Sequence, residues 1–289
     1  MRILLTGSKG QLGRCFRDRL PDHWELIAAD SATLDITDAQ AIENMVQSFQ
    51  PDAIVNAAAY TAIDEAEKEN EKAFAANSTA VHNLATAARR FKIRFVHIST
   101  DYVFDGESKA PYAETDSPCP KSVYGQSKLA GELLALAANP SSLILRTSAV
   151  FSEYGRNFVK TMLKSATDCE EFHIADDQTT APTYAGDLAQ AIIQLLQQSA
   201  APRGIYHFCG NQPATNYELA HAIFQTASTH NPAFKPPKLS HLDSQNSSTL
   251  APRPIYSVLD CHKIQDEFNI QLSDWQKALD TIVPALLSI

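Results

Sequence analysis

A short apolar run followed at once by three glycines opens this chain and limits its possible folds more than any other stretch. Ile3, Leu4 and Leu5 are what a buried parallel strand needs. Gly7 permits a tight turn, Gly10 lets the backbone approach a pyrophosphate, and Gly13 lets the following helix sit close to the strand. Free amides at that helix N-terminus, with its partial positive charge, would then face phosphates. The spacing is Gly-x-x-Gly-x-x-Gly rather than the commoner Gly-x-Gly-x-x-Gly, and a glycine-rich turn alone is often only a turn. Its position directly after a first strand favours a dinucleotide site.

The next segments agree. Trp24 to Asp30 reads as a second strand ending in an acid at the distance expected for a ribose hydroxyl contact. A carboxylate there disfavours a 2′-phosphate by like-charge repulsion, so NADH should be accepted. The plainer reading makes Asp30 a strand-end loop acid. Apolar strands then alternate with amphipathic helices, the pattern of a doubly wound parallel α/β sheet. Thr37-Asp38-Ala39-Gln40 resembles a capping box before a helix containing Ile42, Met45, Val46 and Phe49. Ala53-Ile54-Val55 begins a strand, a helix covers roughly 78–91, and Arg94 to Ser99 forms another strand. A helix over 123–137 and a strand at Leu143 to Arg146 follow.

Past about residue 150 the regularity loosens. Thr215-Asn216-Tyr217-Glu218 reads as a second capping box, and a last helix starts near Ser273 to Gln276. Between Pro232 and Pro254 five prolines mark a loop too long for a simple connector, either a lid or a disordered insertion. Residues 1–150 are expected to form the dinucleotide-binding domain, with about 176–200 returning to it. Residues 151–289, including loop 230–256, would be mainly substrate-binding.

The remaining limits are broad. No apolar stretch is long enough for a bilayer and the start shows no signal peptide, so a cytoplasmic protein is expected. Cys15, Cys119, Cys169, Cys209 and Cys261 are odd in number and scattered, which argues for reduced thiols and against a disulfide frame or zinc site. A net charge of −9 argues against a nucleic-acid surface.

Tyr124-Gly125-Gln126-Ser127-Lys128 supplies the chemistry. Residues four apart share a helix face, so the Tyr124 hydroxyl and the Lys128 ammonium can reach one site. A free phenol titrates near about 10, and a neighbouring cation moves it toward working pH as a general acid. Lys128 can also donate to ribose hydroxyls. Such a pair arises by chance on many helices; the glycine-rich opening gives it weight. Ser99 and Thr100 end a strand where ligands bind in these sheets, so either hydroxyl could hold a substrate oxygen beside Tyr124.

The glycine turn, Asn56-Ala57-Ala58-Ala59, Ser99-Thr100-Asp101-Tyr102-Val103-Phe104-Asp105-Gly106 and Tyr124 to Lys128 together resemble the extended short-chain dehydrogenase/reductase family, with its Rossmann-like fold and smaller C-terminal substrate-binding domain. Within it, Gly10 to Gly13, Arg146-Thr147-Ser148, Asn157 to Lys160 and Arg253 to Ser257 resemble the dTDP-4-dehydrorhamnose reductase branch, and the likeness covers nearly the whole chain. That branch reduces the 4-keto group of a dTDP-linked 6-deoxy sugar with NADPH or NADH. The resemblance implies Thr100, Tyr124 and Lys128 as the catalytic trio. It implies Gly7, Gly10, Gln11, Leu12 and Gly13 at the pyrophosphate, Asp35 and Ile36 at adenine, and Ala58, Ala59 and Thr61 along the cofactor cleft. Ile63, Asp101, Tyr102 and Asn157 fall on the sugar side. Lys160 and Arg253 are candidates for the nucleotide diphosphate, because a dianion needs cations.

Two departures stand out. The family often has Trp where this chain has Ala149, so the resemblance leaves the exact sugar open. Some members bind magnesium at a dimer interface through glutamates, one of which falls at Cys15. A soft thiol is a poor ligand for a hard ion, so no metal is expected and a monomer is favoured over a homodimer. Two rivals remain. A sugar-nucleotide 4,6-dehydratase needs a further carboxylate where this chain has Tyr102. A non-catalytic NADP-binding subunit of the methionine adenosyltransferase type is not excluded by an intact trio.

Overall fold

A computed structural model describes residues 1–166, 170–242 and 249–287. The chain opens with β1 (Arg2–Thr6), α1 (Gln11–Asp18), β2 (Glu25–Ala28), α2 (Ala39–Phe49) and β3 (Ala53–Asn56). Short helices α3 (Ile63–Ala66) and α4 (Asn70–Phe74) lead through a π-helical turn, Ala75–Thr79, into α5 (Ala80–Phe91). Then come β4 (Arg94–Thr100), α6 (Val123–Ala138), β5 (Leu143–Thr147) and β6 (Val150–Phe151). Next are α7 (Phe158–Ser165), β7 (Glu171–Ala175), β8 (Thr179–Thr180), β9 (Thr183–Tyr184), α8 (Ala185–Gln197) and β10 (Gly204–His207). The C-terminal part holds β11 (Ala214–Thr215), α9 (Asn216–His230), β12 (Lys238–Leu242), α10 (His262–Phe268) and α11 (Trp275–Leu287).

Six strands form one parallel sheet in the order β10-β5-β4-β3-β1-β2. Alternation along the strands sends Ile3, Leu5, Val55 and Leu145 to one face, under α1 and α8, and Leu4, Ile54, Phe95 and Ile144 to the other, under α2 and α5. The doubly wound sheet expected from the sequence is therefore present. Strand order reverses between β1 and β3, and that switch point opens a crevice at their carboxyl ends. A separate apolar cluster, including Phe151, Met162, Phe224, Trp275 and Ile282, supports the C-terminal elements.

Local expectations need three corrections. Asp38, not Thr37, caps α2, accepting from the amides of Gln40 and Ala41, because Thr37 is turned to Asp35. Helix begins at Asn70 rather than near residue 78, with the π turn inserted before α5. The proline-rich stretch contains a strand, β12, paired in parallel with β7, so it is not simply a loop; residues 243–248 lie outside the described residues. Two of the cysteines meet: Cys209 and Cys261 bring their sulfurs to 3.4 Å as free thiols, while Cys169 lies outside the described residues.

Beyond that stretch the chain returns as a strap over β8 and the segment that follows β4. Tyr256 donates its amide to the Gly106 carbonyl (3.0 Å), Ser257 to Thr179 (2.9 Å), and Leu259 bridges Tyr112. No described helix is long and apolar enough to cross a membrane.

Candidate active site

A cleft of about 1170 Å³ lies over the carboxyl ends of the sheet. Gly7 has φ +70, and a side chain there would drive its Cβ to 2.5 Å from the Ala57 backbone. Gly10 takes the N-cap position of α1 with no side-chain cap, so the first-turn amides are not occupied by a capping side chain. Gly7, Gly10, Gln11 and Leu12 line the cleft. Gly13 does not: it packs behind the turn, where a Cβ would meet the Gly7 carbonyl at 2.3 Å. A bare, close-packed turn under a helix N-terminus fits a dinucleotide pyrophosphate.

One end of the cleft, beside the glycine turn, holds Asp30, Asp35 and Ile36. Asp30 is paired with Lys9 and accepts from the amides of Ala32 and Thr33 (both 3.0 Å). The Lys9 contact and then Thr33 hold its carboxyl down to about 2. The expected repulsion of a 2′-phosphate is thus offset, because the Lys9 cation sits on the same carboxylate. Asp35 is held below its ordinary value by the Thr37 hydroxyl (2.6 Å) and amide (2.8 Å). Ala58, Ala59 and Thr61 continue the wall.

Tyr124 and Lys128 project from the first turns of α6. Ser122 caps that helix by accepting the Gly125 amide (3.1 Å). The glycine is required: a Cβ at 125 would lie 2.2 Å from the Tyr102 carbonyl, so only glycine lets α6 settle against the turn after β4. Thr100, at the end of β4, hydrogen-bonds with Tyr124 and donates to Asp101 Oδ1 (2.9 Å). Ser99 points the other way, donating to Glu132. Of the two candidate hydroxyls, only Thr100 stands at Tyr124. The Tyr102 ring meets Tyr124 edge-on at 5.6 Å.

Burial pushes the Tyr124 phenol up to about 12, with Thr100 pulling it partly back and Asp101 adding to the rise. The expected lowering by Lys128 is not what the geometry provides. The lysine Nζ donates to the Ile98 carbonyl (2.5 Å) and faces His97, and burial pushes it down to about 8 against the opposing pull of Glu132. Asp101 is raised by burial, tempered by hydroxyls of Ser257, Thr100 and Ser148. Burial, then Asp101, raises Tyr102.

On the remaining side, Ile63, Asp101, Tyr102 and Arg253 line the cleft, with Ala149 at φ +43. Arg253 is already engaged: its guanidinium pairs with Asp64 (2.7 Å) and donates to the Ala251 carbonyl (3.3 Å). Asn157 and Lys160 do not line the cleft. Asn157 caps α7 and donates to Gln11 Oε1 (2.8 Å), and Lys160 Nζ donates to the Glu153 carbonyl (3.2 Å). Arg156, Gln178 and Asn216 line it instead; no motif marked them, since they reach it only once the C-terminal elements fold over.

Cys15, on the inner face of α1, is fully buried, and burial and then Glu153 push its thiol up to about 12. Arg19 nearby donates to the Tyr184 hydroxyl (3.0 Å), and that hydroxyl donates to Glu153 (3.2 Å).

Comparison with known proteins gives a consistent answer along the chain. The family described as RmlD substrate binding domain matches residues 1–288. A dTDP-4-dehydrorhamnose reductase from Aggregatibacter actinomycetemcomitans is 44% identical over 287 residues, spanning 97% of this chain and 98% of that protein. The solved structure of a dTDP-4-dehydrorhamnose reductase from Clostridium acetobutylicum superposes with a TM-score of 0.93 at 33% identity, covering 100% of both chains. One from Bacillus anthracis in complex with NADP gives 0.91 at 32%, covering 97% of this chain and 98% of its own.

Proposed function

Because the chain belongs to the RmlD substrate-binding-domain family, we propose that it reduces the 4-keto group of dTDP-4-dehydro-L-rhamnose to dTDP-L-rhamnose with NADPH or NADH. The observation that carries this reading is the meeting of Thr100, Tyr124 and Lys128 in the same cleft as the glycine turn. When bound there, the reduced nicotinamide supplies the hydride that the sugar C4 receives.

The chain's own residues do the rest. Tyr124 gives its proton to the C4 oxygen, and the Thr100 hydroxyl, turning its one hydrogen from Asp101 when substrate binds, donates to that oxygen beside it. Asp101, braced by Ser148 and Ser257, holds Thr100. Gly7, Gly10, Gln11 and Leu12 hold pyrophosphate, Asp30, Asp35 and Ile36 surround the adenosine, and Ala58, Ala59 and Thr61 border the middle of the cleft. Ile63, Tyr102 and Arg253 face the sugar nucleotide, with Arg253 presented by Asp64. Gly13 and Asn157 act from behind, by packing the turn and holding Gln11. In this reading residues 1–150 with about 176–200 bind cofactor and the remainder binds substrate. A monomer free of metal fits the buried, protonated Cys15 thiol. A cytoplasmic site fits the consumption of a nicotinamide cofactor.

Incubation with dTDP-4-dehydro-L-rhamnose and either cofactor, following nicotinamide absorbance, tests the proposal. Oxidation with product formation is expected. No oxidation with either cofactor would move the protein to the non-catalytic NADP-binding class.

A further inference from the structure

We propose that Asn56 and His97 set the proton state of Lys128: Asn56 fixes the tautomer of His97, and the imidazole N–H turned toward Lys128 loosens the lysine's hold on its third proton. The inference rests on Lys128 belonging to the catalytic group. It concerns residues beneath the cleft floor, on neighbouring strands.

Thr6, Asn56 and His97 are register partners across β1, β3 and β4, and all are buried. Asn56 Oδ1 accepts from the Thr6 hydroxyl (2.7 Å) and from the Ala58 backbone amide (3.2 Å). A backbone amide can only donate, so the atom it meets must be the oxygen, which fixes the orientation of the Asn56 side chain. Asn56 Nδ2 then faces His97 Nδ1 at 3.0 Å and must be the donor. His97 Nδ1 accepts, and the hydrogen of the neutral ring is assigned to Nε2. Burial, and then the nearby Lys128, hold His97 well below its ordinary range, so the ring is neutral.

Nε2 lies 3.4 Å from Lys128 Nζ. An ammonium has three donors and no lone pair, so it cannot accept that N–H; an amine can. Among the described residues the lysine's one short acceptor is the Ile98 carbonyl. Other charged and titratable neighbours do not compensate fully. Glu132, one turn along α6, favours the ammonium, but its carboxylate is shared with Arg146 of β5 (2.9 and 2.6 Å) and accepts from Ser99 of β4. Tyr124 on α6 is a neutral phenol, and Asp101 after β4 is engaged by three hydroxyls.

The consequence is a proton that moves easily. Tyr124 becomes a phenolate on giving its proton to the substrate oxygen. Lys128, which faces His97 and the Ile98 carbonyl rather than the phenol, releases its third proton to solvent as the pH rises, leaving an amine that accepts from His97 Nε2–H. His97 and Asn56 are positioning residues here, because neither touches substrate.

The test uses full-length protein labelled with ¹⁵N in histidine and ¹³C at lysine Cε, with His97→Gln and Lys128→Arg assigning the signals. His97 is expected to remain neutral and Nε2-protonated between about pH 6 and 9, while Lys128 titrates near 8. In Asn56→Asp the carboxylate accepts from Nδ1–H, the tautomer inverts, and the Nε2 lone pair turns to the lysine. Lys128 should then bind its proton about tenfold more tightly, a shift of about one pH unit. A wild-type His97 protonated on Nδ1 overturns the proposal, and so does an Asn56→Asp protein with an inverted tautomer but an unmoved lysine. If that variant does not fold, the wild-type spectrum decides. None of these readings needs substrate, so they stand apart from the turnover assay that tests the sugar reaction.

Discussion

Tyr124 keeps its proton firmly until a substrate oxygen needs it. Burial holds the phenol near 12, so at neutral pH it is fully protonated, a donor rather than a base. Tyr124→Phe preserves the ring and removes the donor; turnover should fall by about 10²–10⁴-fold with cofactor affinity retained, as measured by single-turnover rates beside equilibrium binding. Near-normal turnover would remove Tyr124 from the mechanism. Lys9 makes a second prediction. It neutralises Asp30 and can turn to a 2′-phosphate, so Lys9→Ala should weaken NADPH relative to NADH by about tenfold or more, the scale of a charge-assisted hydrogen bond. An unchanged ratio of the two KM values would show that the pair takes no part in selection. Tyr124, Lys128, Thr100 and the glycines were legible in the sequence because their chemistry is carried by spacing within one turn or one helix. Lys9 against Asp30 and His97 against Asn56 were not, because those contacts depend on which strands lie side by side. The same limit explains Lys160, a cation in a suggestive segment whose ammonium is held by the Glu153 carbonyl.

At the scale of elements, α6 is the part that must not shift, since it carries both Tyr124 and Lys128. One buried ion pair latches it to the sheet: Glu132 accepts from Nε and Nη2 of Arg146, and each side chain is at most 2% exposed. Removing one partner leaves the other charge buried and unpaired, so Glu132→Ala should destabilise the fold by about 3–5 kcal/mol, read as a lower denaturant midpoint. Replacing both residues with methionine should cost less than the single change, because no lone charge remains. A Glu132→Ala midpoint equal to wild type would show that the latch is not structural. The strands β1, β3, β4 and β5 were visible as apolar runs, α6 was visible as the helix whose face Tyr124 and Lys128 share, and α9 from its capping box. What escaped was governed by neighbours. Lys238 to Leu242 sits just after Pro236 and Pro237 and becomes a strand only because β7 offers it an edge. The π turn at Ala75–Thr79 places Asn77 to serve the Tyr60 backbone and Ser127, contacts that no helical periodicity announces.

For the whole molecule, the expectation concerns metal. Cys15 is a buried thiol whose proton is held near 12, and magnesium wants hard oxygen donors in near-octahedral array. Treatment with EDTA should leave both activity and sedimentation mass unchanged; activity lost and then restored by magnesium would overturn this. The order of the walls has a further consequence. Five strands of the sheet and the turn that cradles a pyrophosphate are complete by Thr147, whereas Ser257, which steadies Asp101, and Arg253 belong to the strap that comes back at the far end of the chain. Chains emerge from the ribosome N-terminus first, and domains generally fold as units during synthesis. A growing polypeptide of this protein therefore makes the turn that cradles a pyrophosphate well before Arg253 and Ser257, the strap residues on the substrate side.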